Sequence, residues 1–163
     1  MANLLYTGLM GSGKSYSAIE NVVIPSIKAG RTIVTNMVLV KHEIYKEFPN
    51  ANITTIPDDI DYETRDKFFN SDLYPAGAVF IIDEAGELFP AGESQKNVSQ
   101  LTKKFFTKQR HNVGVDGFSS EVILMTQTAS QLGLWVRELV DTHFNHVNLE
   151  MHGMKNNYRV DMY

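Results

Sequence analysis

One segment of eight residues near the start of the chain constrains the fold more than any other. Residues 8–15 read GLMGSGKS and match the pattern G-x-x-x-x-G-K-[ST] in full. A short apolar run from Asn3 to Thr7 precedes the segment, and a helical pattern of apolar residues follows it. Glycines let such a loop wrap closely, so that successive N–H groups and the start of the helix face one anion. The segment therefore predicts a strand–loop–helix unit that holds a polyphosphate, a P-loop.

The P-loop pattern also predicts individual roles. We expect the Lys14 ammonium to reach the β- and γ-phosphates of a nucleotide and the Ser15 hydroxyl to bind Mg²⁺. A nucleoside triphosphate with Mg²⁺ is therefore the expected ligand, and no motif that reads guanine is evident. The expected nucleotide-binding residues are Gly8, Leu9, Met10, Gly11, Ser12, Gly13, Lys14, Ser15 and Tyr16.

An acidic pair follows a second apolar run. Ala78 to Ile82 is apolar on both faces, which predicts a central parallel strand, and Asp83 and Glu84 come directly after it. Open α/β sheets bind ligands at the carboxyl ends of their strands. We expect Asp83 to hold Mg²⁺ and Glu84 to deprotonate the attacking water. A solvated acidic turn is the alternative, and the P-loop in the same chain favours the catalytic interpretation.

Three further polar residues are candidates for the same chemistry. Gln127 follows the apolar strand Glu121 to Met125 and could contact the γ-phosphate or the water, or it is an ordinary residue at a strand end. Hydrolysis also needs positive charge on the transferring phosphoryl group, which an arginine of a neighbouring subunit often supplies. Arg110 is the first candidate for this arginine and Arg137 the second, although each also fits a plain surface arginine.

Strand and helix patterns alternate along the chain. They predict one domain over residues 1–163, with an α/β fold of three layers around a mostly parallel sheet. The tail from Thr142 to Tyr163 alternates apolar and polar residues, which predicts an antiparallel hairpin at the sheet edge. Pro25 is expected to end or kink the first helix, and Leu101, Phe105 and Phe106 are expected in the core. The later helices are predicted over Tyr62–Phe69, Val98–Arg110 and Ser130–Val140.

Composition excludes several classes of function. The chain has no cysteine, so it has neither a disulfide framework nor a thiolate metal site. Its net charge of −4 disfavours non-specific binding to nucleic acid, and the lysines of the helix after Val98 fit a solvated face. No signal peptide and no apolar run of about 18 residues is present, so we expect this domain itself to be soluble.

Five segments together resemble the Zot domain family, named for zonula occludens toxin. They are GLMGSGKS at 8–15, RTIVTN at 31–36, IIDEAGELFP at 81–90, KQRHNVGVD at 108–116 and ILMTQ at 123–127. The P-loop is shared by many families, so the specificity of the resemblance lies in the other four segments. In one respect the chain departs from the family pattern, because GFSSE at 117–121 lengthens the connection between the fourth segment and the fifth.

The resemblance implies properties that the residues alone do not. The family includes the assembly ATPases of filamentous phages and is related to the HerA/FtsK pumping ATPases, so it implies a RecA-like sheet and a homo-oligomeric ring, possibly a hexamer. It implies a place at the cytoplasmic face of the bacterial inner membrane, with attachment through a segment absent from this chain. Other phage assembly proteins are the implied partners, and ATP hydrolysis would drive phage extrusion.

Three other functions remain open at this point. A DNA translocase or packaging ATPase of the HerA/FtsK type would use the same site, and the acidic charge mildly disfavours it. A small-molecule kinase could use the P-loop, but adjacent Asp83 and Glu84 suit activation of water better. A module that binds nucleotide without turnover is the third, since an isolated subunit lacks its neighbour's arginine.

Overall fold

The structure is a computed structural model that describes residues 3–57, 59–60, 64–155 and 157–163, without the side chains of Arg110 and Met151. The strands are β1 (Asn3–Thr7), β2 (Ile33–Thr35), β3 (Ile53–Thr55), β4 (Val79–Ile82), β5 (Glu121–Met125), β6 (Thr142–Asn148) and β7 (Tyr158–Met162). The helices are α1 (Lys14–Ala18), α2 (Ile24–Lys28), α3 (Lys41–Glu47), α4 (Ala85–Leu88), α5 (Gln100–Lys108) and α6 (Leu134–Arg137). Within these ranges, no helix is both long and apolar enough to cross a lipid bilayer.

The seven strands form one sheet in the order β3-β2-β4-β5-β1-β6-β7. Neighbouring strands are parallel except for β6 and β7, which pair antiparallel. This confirms the predicted mostly parallel sheet with a C-terminal hairpin. In the register, Leu5 of β1 lies beside Leu124 of β5, which lies beside Ile82 of β4. The loops after these three strands therefore leave the sheet at the same edge.

Helices cover both faces of the sheet, because the central strands are apolar on both sides. Val79 and Ile81 of β4 pack toward the helices that follow the P-loop, whereas Phe80 and Ile82 pack toward α5 and α6. All four side chains are at most 1% exposed. Each such side chain contributes about 1.5–3 kcal/mol to folding, so the sheet is a rigid support for the loops at its edge.

Six aromatic rings fill the core on the α5 side, with neighbouring rings edge to face. They are Phe69, Phe80, Phe89, Phe105, Phe106 and Trp135. The predicted core positions Phe105 and Phe106 are confirmed, but Leu101 is 47% exposed and that prediction is wrong. Thr102 is buried instead, because its hydroxyl donates a hydrogen bond to the Asp66 carboxylate and thereby satisfies its polar group.

The first helical segment continues past Pro25 rather than ending there. A π-helical stretch, Ile19–Val23, joins α1 to α2, and Pro25 lies in the first turn of α2. Proline lacks a backbone N–H, and a locally widened turn accommodates that loss without breaking the helix. The P-loop is therefore followed by one helical segment that runs from Lys14 to Lys28.

Two other predicted helices are shorter than expected. In place of the surface helix Tyr62–Phe69, residues 64–69 form a 3₁₀ turn, Arg65–Lys67, with Arg65 and Phe69 fully buried; residues 61–63 lie outside the described part. In place of Ser130–Val140, a 3₁₀ turn precedes the short helix α6. The Gly133 N–H donates to the Phe89 carbonyl at 2.8 Å, and this long-range bond keeps the backbone at Gly133 out of the helix.

Candidate functional site

The P-loop is a closed arc of backbone that its own lysine holds in shape. Gly11 and Gly13 have φ values of 75° and 90°, which favour glycine. The Lys14 ammonium donates to the carbonyl oxygens of Gly8 at 2.5 Å and Leu9 at 3.3 Å. The side chain thus spans the arc from its last residues to its first, in the position required to meet a phosphate group inside it.

Gly8 is required where β1 enters the loop. A Cβ at this position would lie 2.3 Å from the His146 carbonyl oxygen and 2.4 Å from Ser12 Oγ, so no side chain fits. The Gly8 N–H donates to the Gln127 carbonyl at 3.0 Å. The start of the P-loop is therefore fixed between the strands on its two sides, β5 and β6.

The acidic pair follows β4, and its backbone is held by the neighbouring strand. The Asn36 side chain, just after β2, accepts from the Asp83 N–H at 2.7 Å and donates to the Asp83 carbonyl at 2.9 Å. Glu84 has a left-handed backbone with φ 46°, which costs about 1–3 kcal/mol in a residue other than glycine. Such strain is common at functional sites, and here it gives the exposed Glu84 side chain a fixed starting direction.

The acidic pair also acts electrostatically on the lysine. Burial lowers the pKa of Lys14, and the negative charges of Asp83 and Glu84 oppose that shift. Such an opposing effect requires the carboxylates to lie near the ammonium. The predicted P-loop and the predicted acidic pair therefore meet at the same edge of the sheet, with β5 between their strands.

Ser15 and Asp83 are the expected ligands of a magnesium ion. Ser15 is exposed at the end of the arc, and Asp83 offers a carboxylate that faces the same site. Among the described residues, no cluster of three acidic or histidine side chains could hold a metal ion alone. The donors fit Mg²⁺, which binds through one or two protein oxygens together with waters and substrate phosphates.

Gln127 lies where the P-loop meets the strand between the two motifs. The amide oxygen of Gln131 accepts from Thr126 Oγ1 at 2.7 Å and from the backbone N–H groups of Gln127 and Thr128 at 3.1 and 3.2 Å. Gln127 therefore projects from an ordered turn between β1 and β4. Together with Gly8 and Leu9 it borders a cleft of about 650 Å³ between the P-loop and the hairpin.

The structure does not place the Arg110 backbone or the Arg137 side chain beside the acidic pair of the same chain. Arg110 lies in a 3₁₀ turn, Gln109–His111, that precedes β5, so its backbone is near the edge opposite the P-loop. The predicted role of its side chain lies outside the described residues. Arg137 borders a hollow beside Asp141 and Thr142, at the start of β6, and no P-loop residue lines that hollow.

The C-terminal hairpin contacts the P-loop directly, which the sequence analysis missed. The Asn148 side chain donates to the Gly11 carbonyl at 3.2 Å, and the Tyr158 ring lies against Gly13. Burial also lowers the pKa of His143 and of His146, so both are neutral at neutral pH and add no charge beside the loop. No local sequence signal marks these contacts, whereas Asn36 is a polar residue directly after the β-branched run Ile33–Thr35 and could have been found on that basis.

Solved structures with similar folds include two viral packaging enzymes and one toxin domain. The genome packaging NTPase B204 of Sulfolobus turreted icosahedral virus 2, in complex with ATP-gammaS, has a TM-score of 0.63 and 21% identity over 88% of this chain and 73% of that chain. B204 of Sulfolobus turreted icosahedral virus, a DNA-packaging ATPase, has a TM-score of 0.60 and 22% identity over 88% of this chain and 74% of that chain. The N-terminal domain of zonular occludens toxin from Neisseria meningitidis has a TM-score of 0.57 and 17% identity over 99% of this chain and 93% of that chain.

At these identities the structural likenesses establish the fold, a P-loop sheet shared with all three proteins. No curated protein sequence is significantly similar to the chain. The family described as zonular occludens toxin (Zot) matches residues 2–163, which is nearly the whole chain. With the P-loop, the acidic pair and the sheet order already in place, this match makes the chain a member of the Zot family.

Proposed function

We propose that this chain is an ATPase motor domain, one domain over residues 1–163, that binds ATP with Mg²⁺ and hydrolyses it to ADP and phosphate. One observation carries the proposal: Lys14 and the acidic pair lie at the same edge of the sheet, near enough for both carboxylates to affect the lysine pKa. A binding loop alone would need only the lysine. The nearby acidic pair adds a base and a metal ligand, which hydrolysis requires.

The P-loop residues would hold the triphosphate. Backbone N–H groups of the arc would bind phosphate oxygens, and the Lys14 ammonium would exchange its two carbonyl acceptors for β- and γ-phosphate oxygens. This exchange replaces neutral acceptors by charged ones, which form stronger hydrogen bonds. Binding would therefore keep the arc closed around the phosphates.

Glu84 and Gln127 would act on the water. Glu84 is exposed at the end of β4, with a free carboxylate that can take a proton from water aligned with the γ-phosphate. Gln127, from the strand between the two motifs, would orient that water or contact the γ-phosphate. The two residues follow adjacent strands, β4 and β5, which supports a shared role.

Ser15 and Asp83 would hold the magnesium ion. When bound, the ion would neutralise part of the negative charge that develops on the phosphates during transfer. The Asp83 peptide is fixed by Asn36, so its carboxylate is oriented before any ligand arrives.

Family membership supports a role in filamentous phage assembly and extrusion at the cytoplasmic face of the bacterial inner membrane. In that role the chain would work as a homo-oligomeric ring, with other phage assembly proteins and a membrane anchor outside this sequence. The arginine that completes each site would come from the neighbouring subunit, because neither the Arg110 backbone nor the Arg137 side chain lies near Asp83 of its own chain.

DNA translocation or packaging is the second candidate function. The observation that favours it is the shared fold with B204, which is a DNA-packaging ATPase. The acidic net charge of this chain favours the first candidate. Double-stranded DNA that stimulates ATP hydrolysis, with an effect that weakens steeply as salt rises, would favour packaging over phage extrusion.

ATP binding and phosphate release by three proteins test the proposed chemistry. Lys14→Ala should weaken ATP binding at least about tenfold, since hydrogen bonds to charged groups contribute about 1.5–3 kcal/mol. Glu84→Gln should bind ATP like the wild type but release phosphate about 10²–10⁴-fold more slowly, because only the base is lost.

Two exposed residues away from the site provide matched controls. Lys108→Ala, in α5, and Glu47→Gln, in α3, make the same chemical changes and should leave both binding and turnover at wild-type values. Turnover that survives in Glu84→Gln would show that Glu84 is not the base. ATP affinity that survives in Lys14→Ala would contradict the proposed phosphate site.

A further inference from the structure

The ring of Tyr158 packs against the P-loop, and the residue is still partly exposed to solvent. Tyr158 of β7 lies opposite Asn148 of β6, the residue that donates to the Gly11 carbonyl. A Cβ at Gly13 would lie 3.0 to 3.3 Å from three atoms of the ring, so the ring rests on the Gly13 Cα. Tyr158 is nevertheless 47% exposed, which leaves much of an aromatic surface available beside the phosphate site.

The sheet order gives the direction of a bound triphosphate. The acidic pair follows β4, on one side of β1, whereas β6 and β7 lie on the other side. The γ-phosphate must point toward the base, Glu84, for hydrolysis, and the loop amides hold the α- and β-phosphates. The nucleoside end therefore leaves the loop in the opposite direction, toward the hairpin that carries Tyr158.

On the basis of the proposed ATPase function, we propose that Tyr158 is the stacking platform for the nucleobase. An aromatic ring suits this role because every base has a π-face, and stacking requires no particular pattern of hydrogen bonds. The position of the ring is well defined, since Gly13 supports it and the hairpin pairing fixes its backbone. Tyr158 would thus join the P-loop in binding the nucleotide, at the end of the ligand that the phosphate-binding residues do not reach.

The cleft on the other side of Asn148 is the competing place for the base. It is bordered by Leu9 and Met10, at the beginning of the arc, and by β6. The Tyr158 ring instead lies at Gly13, next to Lys14 and to the helix start where the loop ends. The positive end of a helix attracts phosphate, so bound phosphates would lie against this end of the loop and the ring would be within reach of the nucleoside.

Binding of two ligands in Mg²⁺ buffer tests the proposal: ATP, and inorganic tripolyphosphate, which has no base. Tyr158→Ala should weaken ATP binding at least about fivefold and leave tripolyphosphate binding unchanged, because only the stacking is lost. Tyr158→Phe keeps the ring and should bind ATP within about twofold of the wild type. Tyr163→Ala removes a tyrosine at the other end of the same hairpin and should change neither affinity.

The outcomes separate this inference from the proposed function. Unchanged ATP affinity in Tyr158→Ala would overturn the stacking role. Equal weakening of ATP and tripolyphosphate would overturn it too, since the ring would then act by shaping the P-loop. A wild-type protein that binds neither ligand would overturn the proposed function, and the inference with it.

Discussion

Asn36 shows how a single side chain positions the chemistry of another residue. Its amide makes two hydrogen bonds to the Asp83 peptide, at 2.7 and 2.9 Å, and so ties the end of β4 to the end of β2. Asp83 is in turn the acceptor for the Glu84 N–H, at 3.0 Å from its Oδ1 atom. Both acidic residues therefore depend on an asparagine 47 positions earlier in the chain.

Asn36→Ala should slow turnover more than it weakens ATP binding, because the P-loop is left intact while the acidic pair loses its support. The free energy of unfolding should fall by about 1–3 kcal/mol, since the Asp83 backbone groups are left unpaired. Phosphate release, ATP titration and urea unfolding measure the three quantities. Asn97→Ala, at an exposed site, is the control, and equal losses in affinity and turnover would contradict a positioning role.

At this scale the sequence predicts residues whose function follows from local spacing. The P-loop and the acidic pair are contiguous motifs, so Lys14 and Asp83 could be identified without the fold. Asn148 and Tyr158 could not, because their contacts with the loop depend on how β6 returns beside β1. The backbone strain at Glu84 is also absent from the sequence pattern, since glutamate does not favour a positive φ.

Among the elements, the segment before β4 is held by a buried ion pair. Arg65 donates two hydrogen bonds to the Glu93 carboxylate, at 2.9 and 2.5 Å, and one to the Leu88 carbonyl at 2.7 Å. The two side chains are 2% and 5% exposed, and the guanidinium lies over the rings of Phe89 and Trp135. This ion pair connects the turn at Arg65 to the loop after α4, and α4 itself begins directly after the acidic pair.

Glu93→Gln should lower the free energy of unfolding by about 3–5 kcal/mol, because it leaves the Arg65 charge buried without a counterion. Replacing both partners by apolar residues, as in Arg65→Met with Glu93→Leu, should recover most of that loss. Guanidinium unfolding of the single and double variants measures the difference. A single variant as stable as the wild type would show that solvent reaches the guanidinium.

Helices and strands are predicted correctly where the pattern of apolar residues is regular. The prediction fails where long-range contacts determine the local structure. The apolar runs that became β1, β4 and β5 were predicted because they are apolar on both faces. The expected surface helix at Tyr62–Phe69 was wrong for its described residues, because the Arg65 charge is neutralised by a distant partner and not by water. Leu101 was misplaced because a buried hydrogen bond made Thr102 the inward residue.

At the scale of the whole molecule, the proposed mechanism needs an arginine from a second subunit, since the Arg110 backbone and the Arg137 side chain lie away from the acidic pair of the same chain. The rate of hydrolysis per protomer should therefore rise with protein concentration as subunits associate. A ring would bring an arginine of one subunit to the phosphates held by the next.

Mixing two inactive variants tests this arrangement. Arg110→Ala keeps its own base, and Glu84→Gln keeps its arginine, so an equal mixture should recover about a quarter of the wild-type rate. Lys14→Ala mixed with Glu84→Gln is the control and should stay inactive, because both changes affect the same site of one subunit. If the first mixture also stays inactive, Arg110 does not act between subunits.

The architecture was largely predictable, but the strand order was not. Alternating strands and helices predict a parallel sheet, and the tail predicts a hairpin, both of which the structure confirms. The position of β5 between β1 and β4 depends on connections across the sheet that a pattern along the chain does not specify. That position is what places Gln127 between the P-loop and the acidic pair.

The amide bonds of Asn36 have a consequence for the thermodynamics of ligand binding. With the Asp83 peptide already fixed, that part of the site loses little conformational freedom when a ligand arrives. Leu9 and Met10, on the arc, are 69% and 88% exposed, and ordering of their side chains would account for most of the local entropy loss. The unfavourable entropy of nucleotide association should therefore originate mainly in the side chains of Leu9 and Met10, whereas the Asp83 backbone should contribute little.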